Sequence, residues 1–595
     1  MYRICIALCT LLASSPVLVA ENATLPLAGP VSEPSTTLSL GMHWIVRGDD
    51  NRNAAIAVSY RPAGSKDWKQ GPPLWRVAKG AHTQAGKEKH ASDLDVPADG
   101  WLFAGSILLL ESKTSYEVKL ALTDPDGGST EKTFTASTTA EPQLAAGGVM
   151  LHVAPGAGGG SGTEAAPFLG LAAAQAAAKP GARFLLHAGV YPGTFEVTAS
   201  GEPGKPIVWQ GPESGDAVID AKDPDGKALP RGVSASEVHD VWFRKLAIRG
   251  ADFGMVIHGS SRIVIQRCHL TDVGYGITGH PRTKDQTACG FFISDNILEG
   301  RCKWLLPFEN NAEADAQWHS ETRAIEVCGT GSEICYNRIS HFKDAIDLAP
   351  SFLTADNDIH HNDVSQLIDD GFEMDGSDRN TRCFLNRVVD CHTGLSIQPV
   401  YGGPAYLFRN TLYNVHGEVY KMHNSPSGAL FFHNTTVKKG EPFLVSTPDQ
   451  VNDCWFRNNL FVGTEGRPFN LDTPQRGCDL DYDGIAGGSG NVVLKFDNVK
   501  YATWEEVRAK SPVEKHVVVL DPATLFASGL MPPANAADEH TERELDYSLT
   551  AGTAAIDAGE VLPGMNDGFA GKAPDLGARE VGSPAPHYGP RPEKK

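Results

Sequence analysis

One residue type recurs along the middle of the chain at an almost constant interval. Successive asparagines are separated by 25, 24, 24, 24 and 24 residues: Asn337, Asn362, Asn386, Asn410, Asn434 and Asn458. A fixed period of this length is typical of a solenoid, in which each repeat buries its apolar face on its neighbours. Stacked asparagines in equivalent turns can also hydrogen-bond along the axis. The repeat therefore predicts a right-handed parallel β-helix with about 24 residues per coil.

The same phase continues towards the N-terminus through Asn296, Cys268 and Arg244. Two residues after each of these positions there is an apolar side chain in every coil except the one with Thr436: Leu246, Leu270, Leu298, Ile339, Val364, Val388, Leu412 and Leu460. Asn296 and Asn337 are 41 residues apart, about 17 more than one coil. We expect an inserted loop near residues 301–322, whose Trp304 and Trp318 either stack on a sugar ring or fill a local core.

The regions that flank the repeat have other patterns. Residues 30–140 alternate apolar and polar positions, as in residues 55–60 and 116–120, and predict a small β-sandwich. Residues 141–165 are rich in Gly, Ala and Pro and predict a linker. The β-helix is expected over 166–480 and a C-terminal cap and tail over 481–595, of which 581–595 are expected to be disordered.

The N-terminal residues and the net charge of the chain restrict the cellular location and the binding partners that we expect. Residues 1–20 predict a signal peptide, with Arg3, an apolar stretch and Ala20, and therefore a secreted or periplasmic protein. No later apolar stretch is long enough to span a membrane. A net charge of −20 argues against nucleic acid as a partner, whereas a polysaccharide, even an anionic one, stays open. We expect a monomer.

Cysteine pairing stays open at this point. Two of the 11 cysteines lie in the first 20 residues, which leaves nine in the mature chain. An odd number leaves at least one unpaired within a monomer. The others form disulfides or are buried free thiols.

Short segments beside the repeat resemble known families. Residues 162–168, an alanine-rich stretch and residues 185–191 resemble the beginning of pectate-lyase-like β-helix proteins, in which a short helix caps the first coil. Residues 555–559 and 574–578 resemble the closing cap of similar secreted β-helices. Residues 110–116 resemble the tyrosine corner of fibronectin type III domains. The first resemblance implies a carbohydrate-active protein with an N-terminal capping helix.

Aligned coils place charged residues on one outer face. The inward column is Ile325, Ile346, Phe372, Leu395 and Tyr420, and the outward column beside it is Glu326, Asp347, Glu373, Ser396 and Lys421. Asp375, Gln398 and His423 lie two residues further on, and Asp344, Asp369 and Asp370 lie just before the inward positions. Like charges on neighbouring rungs repel, so this acidic stack predicts a function rather than an ordinary solvated face.

A calcium-assisted lyase is the first interpretation of this face. Asp344, Asp347, Asp369, Asp370 and Glu373 are similar to the Ca²⁺ site of some β-helix pectate lyases, although Glu373 replaces the Asp of that pattern. The resemblance implies that Ca²⁺ acidifies the C5 proton of a uronate and that a base removes it. Lys421 is the candidate base, with His423 nearby. We expect Glu326, Asp375, Gln398 and Arg409 to contact the substrate.

Two alternatives remain. In a glycoside hydrolase, paired carboxyl groups among Asp347, Asp370 and Glu373 would cleave the bond without a metal. The trio of Asp347, Asp369 and Asp370 is similar to that of β-helix polygalacturonases, but the Gly-His-Gly and Arg-x-Lys motifs of those enzymes are missing from the matching coils. A non-catalytic glycan-binding β-helix would scatter its acids rather than stack them. The sequence therefore favours a polysaccharide-cleaving enzyme, with a lyase preferred over a hydrolase.

Overall fold

A computed structural model describes residues 22–78, 94–144, 147, 149–304, 312–348, 353–541 and 545–593. The expected signal peptide lies outside these residues. The described part is nearly all β-structure, and a parallel solenoid of about 12 turns forms its body. The predicted fold class is thereby confirmed. None of the described helices is long and apolar enough to cross a bilayer.

Three parallel sheets run along the solenoid, and each coil contributes a strand to one or more of them. The strands of sheet 1 are Met150–Ala154, Phe168–Leu169, Arg183–Leu186, Ile207–Gln210, Val241–Arg244, Val264–Gln266, Phe292–Ser294, Glu333–Cys335, Asp358–His360, Thr381–Phe384, Tyr401–Phe408, Ser427–Phe432, Val451–Asn452, Trp455–Arg457, Gln475–Arg476 and Asp479–Asp481.

Sheet 2 has 13 strands: Gly189–Pro192, Ala217–Asp220, Leu246–Arg249, His269–Thr271, Ile297–Glu299, Arg338–Ser340, Asp363–Ser365, Arg387–Cys391, Thr411–Val415, Thr435–Val437, Leu460–Val462, Gly484–Ala486 and Val518–Leu520. Sheet 3 has nine: Phe195–Glu196, Leu229–Ser234, Ala251–Val256, Tyr275–Gly279, Arg323–Val327, Asp344–Asp347, Asp370–Glu373, Thr393–Ser396 and Tyr420–Lys421.

Smaller elements complete the solenoid. One two-stranded sheet pairs Thr354–Ala355 with Ser377–Arg379, and a four-stranded sheet joins Phe443–Ser446, Phe469–Asp472, Leu494–Phe496 and Val499–Tyr501. The helices are Leu171–Gln175, Ala312–Trp318, Trp504–Lys510 and Pro522–Leu525, with one 3₁₀ turn at Lys284–Gln286. Helix Leu171–Gln175 packs at the beginning of the solenoid, where Ala174 enters the core, as expected of a capping helix.

The N-terminal region forms antiparallel strands separate from the solenoid. They are Leu25–Pro26, Val31–Ser32, Leu40–Arg47, Ala55–Pro62, Lys69–Arg76, Gly100–Ile107, Ser115–Thr123 and Thr130–Ser137. Alternate side chains of these strands form their own core, which includes Trp44, Val58 and Leu120. The Tyr116 hydroxyl accepts a hydrogen bond from the Glu111 amide at 3.0 Å, which is the backbone contact of a tyrosine corner.

A buried hydrogen-bonded ladder links the coils between sheets 1 and 2. Each asparagine Oδ1 accepts from the backbone N–H and the side-chain amide of the asparagine one coil earlier, as Asn386 does from Asn362 at 3.0 Å for both bonds. Each amide also donates to a carbonyl of the preceding coil, such as that of Ile359. The ladder extends from Asn296 to Asn434 as predicted, and Cys268 occupies the equivalent position before it.

The predicted ladder needs two corrections at its ends. After Asn434 the ladder continues through Asn459 and not Asn458, because this coil has 25 residues, and Asp483 is its last member. Asn458 instead bonds to the backbone of Glu560. At the other end Arg244 pairs with Gln266, two residues before Cys268, so it does not occupy the ladder position.

The solenoid also extends beyond its expected limits. Strand Met150–Ala154 pairs with Arg183–Leu186, inside the stretch expected to be a linker, and Val518–Leu520 still belongs to sheet 2. The tail expected to be disordered is ordered through residue 593: Arg591 forms ion pairs with Glu141 and Asp295, both at 2.6 Å. These charge pairs hold the tail on the solenoid although its composition is polar.

Asp483 at the end of the ladder provides a test of pH-dependent stability. Burial raises its pKa to about 7, and burial beside Asp483 raises the pKa of Glu514. The folded protein therefore binds more protons than the unfolded chain between about pH 4 and pH 7, so this pair lowers the free energy of unfolding as pH rises through that window.

We expect Asp483→Asn to increase the free energy of unfolding at about pH 8 by on the order of 3 kcal/mol, with a smaller effect near pH 4. An asparagine still accepts from Asn459 and does not need to ionise. Denaturant unfolding at both pH values measures the difference, with the exposed Asp216→Asn as control. An equal effect of the two substitutions at both pH values would contradict the assignment.

Candidate active site

Sheet 3 carries the candidate site on its outer face, and the predicted register is confirmed. Glu326 pairs with Asp347, Asp347 with Glu373, Glu373 with Ser396, and Ser396 with Lys421. The inward neighbours Ile325, Ile346, Phe372, Leu395 and Tyr420 all lie in the solenoid core. The apolar side chains stack in register from coil to coil inside the core. Because side chains alternate along a strand, the polar side chains are therefore aligned on the outer face of sheet 3.

An arginine that the sequence analysis did not select lies among these acids. Arg323 begins its strand and pairs in register with Asp344. Its Nε is 2.7 Å from Asp347, and 3.8 Å from both Asp344 and Glu373. A terminal nitrogen lies 3.5 Å from Glu326. One guanidinium thus contacts the carboxylates of three successive rungs and offsets their repulsion.

A lysine provides a second positive charge. Lys421 Nζ donates to Asp370 Oδ2 at 2.7 Å, two rungs away along the sheet. Burial lowers the pKa of Lys421, but Asp370 and Asp369 raise it above its usual value. Asp369 faces His392, whose Nδ1 is 3.5 Å away. The long lysine side chain therefore reaches the acidic centre in the protonated form.

Three of the acids form one cluster. Oxygen atoms of Asp344, Asp370 and Glu373 all lie within 4.8 Å of one another. Burial, reinforced by Asp344 and Asp347, raises the pKa of Glu373 well above its usual value. Burial and the neighbouring Asp369 also raise the pKa of Asp370. A carboxyl group in this position keeps its proton to a higher pH than an exposed one.

Exposure distinguishes the acids that a substrate can reach from those below them. The side chains of Asp344, Asp347 and Asp370 are 1–3% exposed, whereas those of Glu373 and Glu326 are both 11% exposed. Arg323 and Lys421 reach the same surface at 20% and 19%. The face therefore presents two glutamates and two cations above a buried layer of aspartates.

Histidines and a buried aspartate surround this centre. His280 Nε2 lies 2.6 Å from Glu326 Oε1, and His423 lies 3.3 Å from Glu418. The Asp375 carboxylate accepts a hydrogen bond from the backbone N–H of Gln398 at 2.5 Å, and burial raises the pKa of Asp375 to about 6. A catalytic role of His423 and substrate contacts of Asp375 and Gln398 stay predictions, and His280 and Glu418 were not selected from the sequence. One coil earlier, Thr278 occupies the outward position that pairs with Glu326, and His280 lies two residues after it. Extending the outward column to this coil would therefore have indicated His280.

The inserted loop reaches the edge of the site through one of its two tryptophans. Trp318 ends helix Ala312–Trp318, and its ring meets that of His392 edge-on, with 5.1 Å between ring centres. It is half-buried, and Lys343 lies 5.7 Å from its ring centre. Trp304 is 8% exposed, so its ring is not available for stacking on a sugar.

Arg409 is not brought to this face. It precedes Asn410 in the turn between sheets 1 and 2, where its guanidinium donates to the carbonyl of Ala578 at 3.4 Å. The predicted substrate contact of Arg409 is therefore not supported, because the turn points its side chain at the C-terminal segment.

The residues present fit calcium poorly. Ca²⁺ takes six to eight oxygen ligands. Only Asp344, Asp370 and Glu373, of the five predicted metal ligands, form a cluster among the described residues. Asp347 is paired with Arg323, and Asp369 with His392. The guanidinium of Arg323 and the ammonium of Lys421 already supply positive charge where the ion would bind.

The chain is weakly similar to several solved structures. No family model and no curated protein sequence matches the chain. A structure of XylC with xylose is 10% identical with a TM-score of 0.38, covering 73% of this chain and 98% of that one. An alginate lyase from Paenibacillus sp. is 14% identical with a TM-score of 0.29, covering 58% and 99%.

A third similar structure is the catalytic domain of a GH87 α-1,3-glucanase with tetrasaccharides. It is 11% identical with a TM-score of 0.27, and the match covers 83% of this chain and 91% of that domain.

The Arg323–Asp347 pair should be required for stability. We expect Arg323→Met to lower the free energy of unfolding by about 3–5 kcal/mol, because it leaves Asp347 buried without its cation. Adding Asp347→Asn should restore more than half of the loss, since the amide carries no charge. Denaturant unfolding of the two single variants and the double variant measures this coupling. Simply additive losses would contradict it.

Proposed function

We propose that this protein is a polysaccharide-cleaving glycoside hydrolase whose general acid is Glu373. The observation that carries the proposal is a carboxyl group with a raised pKa in the acidic face, whose side chain stays 11% exposed. Protonation of the leaving oxygen requires such a group, and a neighbouring carboxylate must then assist water or attack the sugar. Glycosidases commonly combine a carboxyl that stays protonated with a second that stays ionised.

Glu326 is the proposed base. It lies two rungs from Glu373, which separates the two backbone positions by about 9–10 Å. Inverting glycosidases separate their carboxyl groups by about 6.5–9.5 Å, which leaves room for a water molecule. His280 and Arg323 orient the Glu326 carboxylate from two sides. Asp347 lies between the two glutamates but is covered, so we assign it to holding Arg323.

The cations at the surface suggest how the substrate is held. Arg323 and Lys421 flank Glu373 and retain part of their surface for a hydroxyl or carboxylate of a sugar. Trp318 at the edge could pack against the apolar face of a ring. We therefore propose a neutral or anionic polysaccharide that lies across sheet 3.

A lyase with Lys421 as base has less support. A base must give up its proton before it can abstract one, and the pKa of Lys421 is raised by its ion pair with Asp370. The calcium that would acidify the substrate proton also competes with Arg323 for the same carboxylates. Elimination remains an outcome that the experiment below distinguishes.

We expect Glu373→Gln and Glu326→Gln each to lower kcat by at least about 10²-fold on a polysaccharide that the wild type cleaves, because each removes a proton-transfer group. The basic limb of the wild-type pH profile of kcat should lie above the usual range of a glutamic acid. A reducing-sugar assay on a panel of polysaccharides measures cleavage, and NMR of the initial product gives its anomeric configuration.

Glu299→Gln, an exposed glutamate on sheet 2, is the matched control and should keep full activity. Cleavage that survives a chelator with inversion at the anomeric carbon supports the proposal. Products with the ultraviolet absorbance of an unsaturated uronate would instead indicate elimination. Activity within about twofold of wild type in both glutamine variants would reject the assignment of the two glutamates.

A further inference from the structure

We propose a buried zinc site formed by Glu333, Cys335 and His360 on sheet 1, separate from the acidic face of sheet 3. The site lies on the outer face of sheet 1, where the N-terminal strands cover the solenoid. It is independent of the proposed hydrolase, because none of these residues belongs to sheet 3.

Strand geometry brings the three side chains together. Glu333 and Cys335 are two residues apart on one strand and therefore point to the same side, while Ile334 between them enters the core. His360 lies on the next strand, paired in register with Cys335. One ligand atom from each residue falls within 4.8 Å of the other two, and all three residues are buried.

The distances are close to those of a tetrahedral zinc site. With zinc–ligand bonds of about 2.0–2.3 Å, neighbouring ligand atoms are separated by about 3.3–3.6 Å. His360 Nε2 is 3.2 Å from Glu333 Oε1, and Cys335 Sγ is 3.9 Å from the same oxygen. A small movement of the thiol would bring the three atoms around one ion.

The donor set selects the metal class. Thiolate, imidazole and carboxylate are all zinc ligands, whereas calcium and magnesium prefer oxygen alone. Three protein ligands and one water form a coordination shell that zinc accepts. On binding, Zn²⁺ replaces the thiol proton of Cys335, which leaves to solvent as H⁺, and no electrons are transferred.

Neighbouring groups are arranged to orient the ligands. His361 Nδ1 is 2.8 Å from His360 Nδ1. If His360 carries its proton on Nδ1 and donates it to His361, Nε2 of His360 is free to coordinate the ion. Thr37 donates its backbone N–H and its hydroxyl to the two oxygens of Glu333, at 2.8 and 2.6 Å. Because Thr37 belongs to the N-terminal region, an ion held by Glu333 would also strengthen the attachment of that region to the solenoid.

The test uses the full-length protein, stripped with a chelator, dialysed and supplied with Zn²⁺ or Co²⁺ alone. We expect one zinc per chain by elemental analysis, a higher Tm with zinc than without, and a thiolate-to-cobalt charge-transfer band in the near ultraviolet. Cys335→Ser should remove that band, and Cys335→Ser or His360→Gln should weaken zinc binding by at least about 100-fold.

Two controls separate this site from other causes. Cys383→Ser, at another buried cysteine of sheet 1, should keep both the zinc and the cobalt band. Glu373→Gln should also keep them, because it alters only the acidic cluster of sheet 3. Substoichiometric zinc in the wild type, or zinc that remains in Cys335→Ser, would overturn the proposal. If Cys335→Ser does not fold, the absence of a charge-transfer band in the wild type overturns it equally.

Discussion

The whole solenoid depends on the alignment of successive coils, and the buried asparagine ladder provides the most specific part of that alignment. Each ladder asparagine satisfies both a backbone N–H and a carbonyl of the preceding coil, as Asn386 does for Asn362 and Ile359. Burial without these bonds would leave several polar groups unsatisfied, each at a cost of about 1–3 kcal/mol. A shift of one residue in any coil would break the ladder on both sides, so the ladder keeps all three sheets in register.

The acidic face is a consequence of this register. Rungs a strand spacing apart bring Glu326, Asp347 and Glu373 into one column, where carboxylates repel unless a cation or a proton is supplied. Arg323 supplies the cation, and burial and the neighbouring aspartates raise the pKa of Glu373. The same repulsion that would destabilise an ordinary surface therefore adds to the effect of burial on the pKa of Glu373, on which the proposed acid catalysis rests.

The N-terminal strands are attached through an apolar cluster, in which Leu108 packs with Phe384 and Phe408, and through buried polar contacts. Asp358 accepts from Ser39 at 2.9 Å and pairs with Arg382, and Ser106 donates its backbone N–H to the Tyr406 hydroxyl at 3.1 Å. Buried charges of this kind add little net stability but fix one orientation, because any other arrangement leaves them unpaired. Glu333 belongs to this network, which places the proposed zinc site where it can strengthen the contact.

The sequence by itself determined the solenoid, the ladder from Asn296 to Asn434 and the polar column on sheet 3, since all three follow from a period and from the alternation of strand side chains. It could not decide where the period shifts by one residue, so Asn458 was taken for Asn459. Only the tertiary structure decided that Arg323 lies within the acid stack, that Trp304 is buried and that Arg409 faces the C-terminal segment. The physical reason is that strand register follows from a repeat that is visible in the sequence. Charge pairing and burial depend instead on how side chains of distant coils and segments meet.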